Sequence, residues 1–225
     1  MKIFVIHGDY TIKSYERLHE IINSSKKKGW VIERISAKDS LSLPERLTAK
    51  SLFENKNLYV VNELNSLTKA DFEWLKKKSD GLEGHLVLYS GGTVGKRALN
   101  FLAKGYKVEE YKLPKLIWKF LESFYPGNAK NSLELLHEVI KNEAPEFVFA
   151  LLARQMRDVY WVSLEAKSVP YPSWRVGKLR GQAKKFKNGQ LEKIIKELAE
   201  ADIKAKTSKT SLQDSLDFLI ATHLE

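Results

Sequence analysis

Short, nearly continuous apolar runs alternate with segments of helical periodicity through the first half of the chain. Lys2-Ile-Phe-Val-Ile-His7 reads as a strand ending at Gly8, and Trp30–Ile35 as a second strand that follows a helical stretch and Gly29, a residue suited to stopping a helix. Leu58–Val61 and Leu86–Tyr89 are unbroken β-forming runs of the kind buried on both faces of a sheet, whereas Tyr106–Tyr111 alternates and predicts an edge strand. Helices are expected over roughly 11–27, 44–53, 67–79 and 96–104. Ser42-Leu-Pro-Glu45 is a capping-box start for the second of these, because the Ser oxygen and the Glu carboxylate can satisfy orphan amides. Five strands separated by helices predict a parallel, doubly wound sheet with right-handed crossovers.

After Pro114 the strand signal stops. Segments near 114–124, 131–143, 145–167, 174–187, 189–206 and 211–224 read as helix, with Pro145 at a position where no amide donor is needed. Phe147, Leu151, Ala153/Arg154, Met156 and Val159/Tyr160 have the spacing of a core-facing stripe. The expected fold class is therefore α/β plus all-α: a five-stranded parallel sheet domain over residues 1–112, followed by a helical domain over 113–225. No internal repeat or low-complexity linker interrupts it.

Composition and charge refine this picture. With 43% apolar and 29% charged residues, the chain has globular rather than disordered character. The absence of Cys removes disulfides, thiol catalysis, iron–sulfur clusters and cysteine-ligated zinc. The opening Met-Lys-Ile-Phe-Val-Ile-His-Gly-Asp lacks a signal-peptide pattern, and the longest apolar run, Phe147–Ala153, is too short for a membrane span, so a cytoplasmic protein without membrane partners is expected. A net charge of +10 points to polyanionic partners, nucleic acid or acidic protein surfaces. Between Glu165 and Glu192 there is no acid, while Lys167, Arg175, Lys178, Arg180, Lys184, Lys185 and Lys187 fall in the gap. That run reads equally as a solvated helix face.

A parallel sheet invites a search for nucleotide sites at the strand C-termini, and the search returns near misses. Ser90-Gly-Gly-Thr-Val-Gly95-Lys96-Arg97 has Ser where a phosphate loop begins with Gly and Arg where it needs the magnesium-holding hydroxyl. After the first strand, His7-Gly-Asp-Tyr-Thr-Ile12-Lys13-Ser14 ends in the right pair but places Ile12 where Gly must let phosphate approach. Asn62-Glu63 lacks the Asp of a magnesium-organising pair. The five His, at 7, 19, 85, 137 and 223, have no metal-ligand spacing. No enzyme emerges, and neither a cofactor nor a metal is expected.

The segment around Leu52 carries more information. On a helix, Leu43 and Leu47 define one face, while Ala49, Leu52 and Phe53 point to another. One face can pack on the sheet and the Leu52-Phe53 pair can enter an apolar pocket on a partner, worth about 1.5–3 kcal/mol per side chain before association costs. Filling the domain's own core is the equally weighted alternative.

Ser51-Leu-Phe-Glu-Asn-Lys-Asn-Leu-Tyr-Val-Val61 resembles the clamp-contacting segment of the bacterial DNA polymerase III delta subunit. Phe4–Asp9 and Leu86–Ser90 followed by Lys96-Arg97 are similar to further landmarks of that family. So are Leu151-Leu-Ala-Arg-Gln155-Met-Arg157, Lys178-Leu-Arg-Gly-Gln-Ala-Lys-Lys-Phe186 and Leu198-Ala-Glu-Ala-Asp-Ile-Lys-Ala-Lys206. The resemblance implies an AAA+-like sheet domain without ATP hydrolysis and a C-terminal helical collar that joins other clamp-loader subunits. It further implies a replication protein within the DNA polymerase III holoenzyme, a DNA-directed DNA polymerase, though with no catalysis from this chain. Leu52 and Phe53 would contact the sliding clamp and help to open it. Arg154, Gln155 and Arg157 match the collar motif. With Lys178, Arg180, Lys184 and Lys185, the two arginines are candidates for facing DNA or neighbouring subunits. The family usually carries a three-helix lid between sheet and collar. Here Tyr111-Lys-Leu-Pro114 runs almost directly into Ile117–Leu121, leaving no room for one.

Two other readings remain: a stand-alone basic DNA-binding protein relying on Lys184 and Lys185, and a divergent nucleotide hydrolase using Lys13 and Ser14.

Overall fold

The structure is a computed structural model that describes residues 1–36, 41–49, 56–95, 99–101 and 106–225. The chain divides into two compact units, Met1–Leu113 and Pro114–Glu225.

In the first unit the strands are β1 (Lys2–His7), β2 (Val31–Ile35), β3 (Asn57–Val61), β4 (His85–Ser90) and β5 (Lys107–Glu110). They form one parallel sheet in the order β2-β3-β4-β1-β5. The interior strands carry the unbroken apolar runs because both of their faces are covered. Ile3, Val5, Tyr59, Val61, Leu86 and Leu88 face one core, and Ile6, Leu58, Val60, Val87 and Tyr89 the other, an alternation with the two-residue period of a pleated strand. The edge strand β5 is mostly exposed, as its alternating sequence predicts.

Among the described residues, three helices cover the sheet: α1 (Thr11–Lys27), α2 (Leu43–Thr48) and α3 (Lys69–Lys78). Leu18 and Ile22 of α1 fill one core, while Leu43 and Leu47 of α2 and Phe72 and Leu75 of α3 fill the other. Gly29 closes α1 in the left-handed conformation at φ +75°, its amide on the Lys26 carbonyl at 2.9 Å. The capping box of α2 forms as expected: the Ser42 amide donates to Glu45 at 2.7 Å, and the Glu45 amide returns to Ser42 Oγ at 3.4 Å. Thr68 and Asp71 build the same device at the start of α3. Most of the expected helix at 96–104 lies outside the described residues, as do Lys96 and Arg97.

The second unit is helical throughout: α4 (Lys115–Ser123), α5 (Ala129–Ile140), α6 (Pro145–Glu165), α7 (Ser173–Ala183), α8 (Gln190–Lys206) and α9 (Leu212–Leu224). Only four residues, 111–114, separate β5 from α4. Helix α6 packs against all five of the others, and this corrects the stripe expected on it. The buried positions are Val148, Phe149, Leu152, Gln155, Met156, Asp158, Val159 and Val162. Met156 and Val159 were anticipated; Phe147, Leu151, Ala153 and Tyr160 are only partly covered, and Arg154 is exposed. These positions form one face, but Gln155 and Asp158 on it are polar while Ala150, Trp161 and Leu164 opposite it are exposed, so apolar periodicity alone misplaces the phase.

Candidate functional site

At the C-terminal edge of the sheet, where an open α/β domain would bind a nucleotide, the described loops are hydrogen-bonded to one another. The Gly8 amide donates to the Gly92 carbonyl at 3.1 Å and the Tyr10 amide to the Tyr111 carbonyl at 3.1 Å. The Val94 amide donates to His7 Nδ1 at 3.3 Å, and the Leu113 amide to Asp9 Oδ1 at 2.8 Å. Two of the amides that a phosphate loop after β1 would direct at its ligand are thus used within the protein. Lys13 pairs with Glu16 at 2.8 Å on the surface, and the buried Ser14 hydroxyl donates to the Thr11 carbonyl at 3.1 Å. His7 is buried, and desolvation is the main cause holding its pKa below that of free imidazole. Among the described residues no cluster of three or more His, Asp or Glu side chains is arranged to hold a metal.

Leu52 and Phe53 lie outside the described residues. What leads up to them is described. Leu43 and Leu47 are buried in the sheet core, Arg46 pairs with Glu33 of β2 at 3.0 Å, and Ala49 at the end of α2 is exposed.

In the helical unit, the sequence motifs meet in space. Gln155 of α6 donates its side-chain amide to Gln182 of α7 at 2.8 Å. Gln182 in turn donates to the carbonyls of Leu121 and Phe124, at 2.8 and 2.9 Å, at the end of α4. Asn128 and Ser132 satisfy the Ser123 carbonyl, at 2.7 and 2.9 Å. Side chains therefore supply donors that a helix C-terminus lacks internally.

One turn along α6, Asp158 is fully buried and gathers three donors: Arg157 at 2.9 Å, the Tyr171 hydroxyl at 2.8 Å and Arg175 at 3.3 Å. The hydrogen bond to Asp158 is the main reason the Arg157 pKa is raised. Arg175 also lies over the rings of Tyr171 and Trp118, at 4.4 and 5.4 Å.

The cationic residues singled out from the sequence do not form one patch. Lys178 and Lys185, seven apart on or next to α7, line a groove of about 710 Å³ against α4, together with Lys115, Lys119, Arg175, Trp118 and Trp174. Its single acid, Glu122, pairs with Lys178 at 2.6 Å, and Lys185 sits 3.2 Å from the centre of the Tyr125 ring. Trp174 is 66% exposed. Arg180 and Lys184, four apart, line a different hollow beside Val162 and Leu164 of α6. Arg154 and Arg157 are exposed on α6. Sequence reasoning missed Asp158, Tyr171 and the two tryptophans. The signal was an acid amid apolar and basic residues on α6, and aromatics interleaved with the cations of 115–119 and 174–185.

Residues 115–223 match the family described as DNA polymerase III delta subunit, C-terminal domain. The match spans nearly the whole helical unit. No curated protein matches the chain significantly in sequence. Among solved structures, it is similar to the Bacillus subtilis DNA clamp loader delta protein, at 16% identity and a TM-score of 0.48, covering 99% of this chain and 95% of that one. It is also similar to a DNA polymerase III gamma subunit-related protein from Thermotoga maritima, at 13% identity and a TM-score of 0.35, covering 99% and 93% of the two chains. No described helix is long and apolar enough to cross a membrane.

Proposed function

We propose that the chain is a non-hydrolysing clamp-loader subunit that binds the sliding clamp and helps to open it for loading onto primed DNA. The family match over the helical unit carries this reading. Two further features support it. The segment 51–61 resembles the clamp-contacting segment of the delta family. The Gly8 and Tyr10 amides after β1 are hydrogen-bonded within the protein, which favours a subunit that assists ATP-driven partners over a hydrolase. The helical unit serves as the collar that joins those partners. Leu52 and Phe53 carry the clamp contact. The test is binding of the full chain to the sliding clamp of the same organism, with Leu52→Ala plus Phe53→Ala as the variant. Loss of binding at unchanged circular dichroism is expected; intact binding by the double variant overturns the site.

A direct contact with single-stranded DNA is favoured by one observation, the exposed Trp174 in a groove with five cations and one acid. Bases stack on exposed aromatic rings, and cations follow the phosphates. Anisotropy of a labelled oligothymidylate should show binding weakened about 5- to 100-fold by Trp174→Ala. Lys178→Ala should lower the salt slope by about 0.7. Absence of binding by the unaltered chain at low salt overturns this reading.

A further inference from the structure

We infer that the cleft between α8 and α9 is the seat for a cationic amphipathic helix of a neighbouring loader subunit. The inference rests on the collar reading and assigns the face by which assembly occurs.

The cleft encloses about 670 Å³, and its accessible lining is mostly apolar, with Leu219 in the wall. At its edge Phe218 is 69% exposed, the most exposed of the large apolar side chains among the described residues. Around this ring stand Glu197, Glu200 and Asp214 against a single cation, Lys204. Glu197 is held by the buried His223 at 2.7 Å. Glu200 and Asp214 have no ion pair among the described residues, although the chain carries ten more cations than acids. Acids left without a counter-charge in a cation-rich protein, beside an uncovered phenyl ring, are complementary to a surface that brings both cations and an apolar side chain. A helix supplies both on one face, with residues three or four apart in register. Nucleic acid is disfavoured here, because its phosphates would meet three carboxylates. The Trp174 groove, built from α4 and α7, has the opposite charge, so the two surfaces select different partners.

The experiment is reconstitution of the full-length chain with the purified motor subunits of the same organism's loader, measuring affinity by sedimentation at low and physiological salt. Phe218→Ala and Glu200→Lys alter exposed side chains and should leave the fold unchanged by circular dichroism. Each is expected to weaken assembly about tenfold or more. Glu200→Lys should also flatten the salt dependence. The exposed Glu134→Lys on α5 should change nothing. Assembly of both variants as tight as that of the unaltered chain overturns the cleft and leaves the collar reading standing. Failure of the unaltered chain to assemble overturns the collar reading, and the cleft with it.

Discussion

The side chains of Gln155 and Gln182, 27 positions apart in the chain, are joined by a 2.8 Å hydrogen bond, and through Gln182 that bond reaches the Leu121 and Phe124 carbonyls. Both glutamines are buried. Helices α4, α6 and α7 are therefore tied at one point by side-chain amides. Buried carbonyls that lose their donors retain the desolvation penalty without compensation.

Gln182→Leu should accordingly destabilise the protein by about 2–4 kcal/mol, since it orphans two carbonyls and the Gln155 amide together. Gln155→Leu orphans only one acceptor and should cost about half as much. Urea denaturation of both variants and the double variant checks this. Additive effects would show that the two amides do not act as a unit.

Asp158→Asn tests the neighbouring hub. The substitution preserves shape but leaves Arg157, Tyr171 and Arg175 around a neutral amide at a fully buried position. A loss of about 2–4 kcal/mol is expected. Arg157→Ala should cost about 1 kcal/mol or less, because that side chain is largely exposed and its partner retains two other donors. Equal melting temperatures for Asp158→Asn and the unaltered protein would contradict a structural role for the hub.

Strands β1, β3 and β4 were legible in the sequence because burial on both faces leaves unbroken apolar runs. The capping box at Ser42 and the stop at Gly29 were legible because each depends on residues only a few positions apart. The phase of α6 was not, since its buried face carries the polar Gln155 and Asp158 while apolar Trp161 and Leu164 lie on the exposed one. The resemblance marked Gln155 and the run containing Gln182 separately; nothing in one dimension shows that they touch. The basic stretch was legible as charge, but only helix geometry separates Lys178 and Lys185 from Arg180 and Lys184. Trp174 was overlooked because exposure decides its meaning, and exposure is a property of the fold.

The edge strand offers a pH test. Arg17 of α1 grips Glu109 of β5 at 2.9 Å, with Lys107 at 2.9 Å and the Tyr111 hydroxyl at 3.0 Å on the same carboxylate. Arg17 is the main cause, and the Glu109 carboxyl is held down to about 2 from an ordinary 4.5. A depressed folded-state pKa gives stability that is fully present above the unfolded value and is lost as pH falls through the folded one. Glu109→Gln should therefore be less stable than the unaltered protein by about 1–3 kcal/mol at pH 7. The gap should narrow between pH 4.5 and 2 and close below about 2. Urea midpoints across that range decide; a gap independent of pH would exclude the carboxylate as its source.

The crevice at the C-terminal edge of the sheet makes the last prediction. Gly8 has φ +143°, a region that side chains rarely adopt, and a Cβ there would lie 1.9 Å from the Tyr111 carbonyl oxygen. Tyr111 is where the chain leaves β5, and its backbone receives the Tyr10 amide and donates to the His7 carbonyl at 2.8 Å. An added methyl cannot be accommodated by a side-chain rotation, because the obstacle is backbone. Gly8→Ala should cost about 2 kcal/mol or more, through strain and through displacement of the 111–113 segment. Gly92→Ala, across the same crevice, meets nothing within 4 Å and has no left-handed φ, so it should change stability by no more than about 0.5 kcal/mol. The pair distinguishes close backbone approach from a general need for flexibility in this loop. Similar losses from both substitutions would point to flexibility, and a large loss from Gly8→Ala alone would show that the close approach of the Tyr111 backbone is what requires glycine.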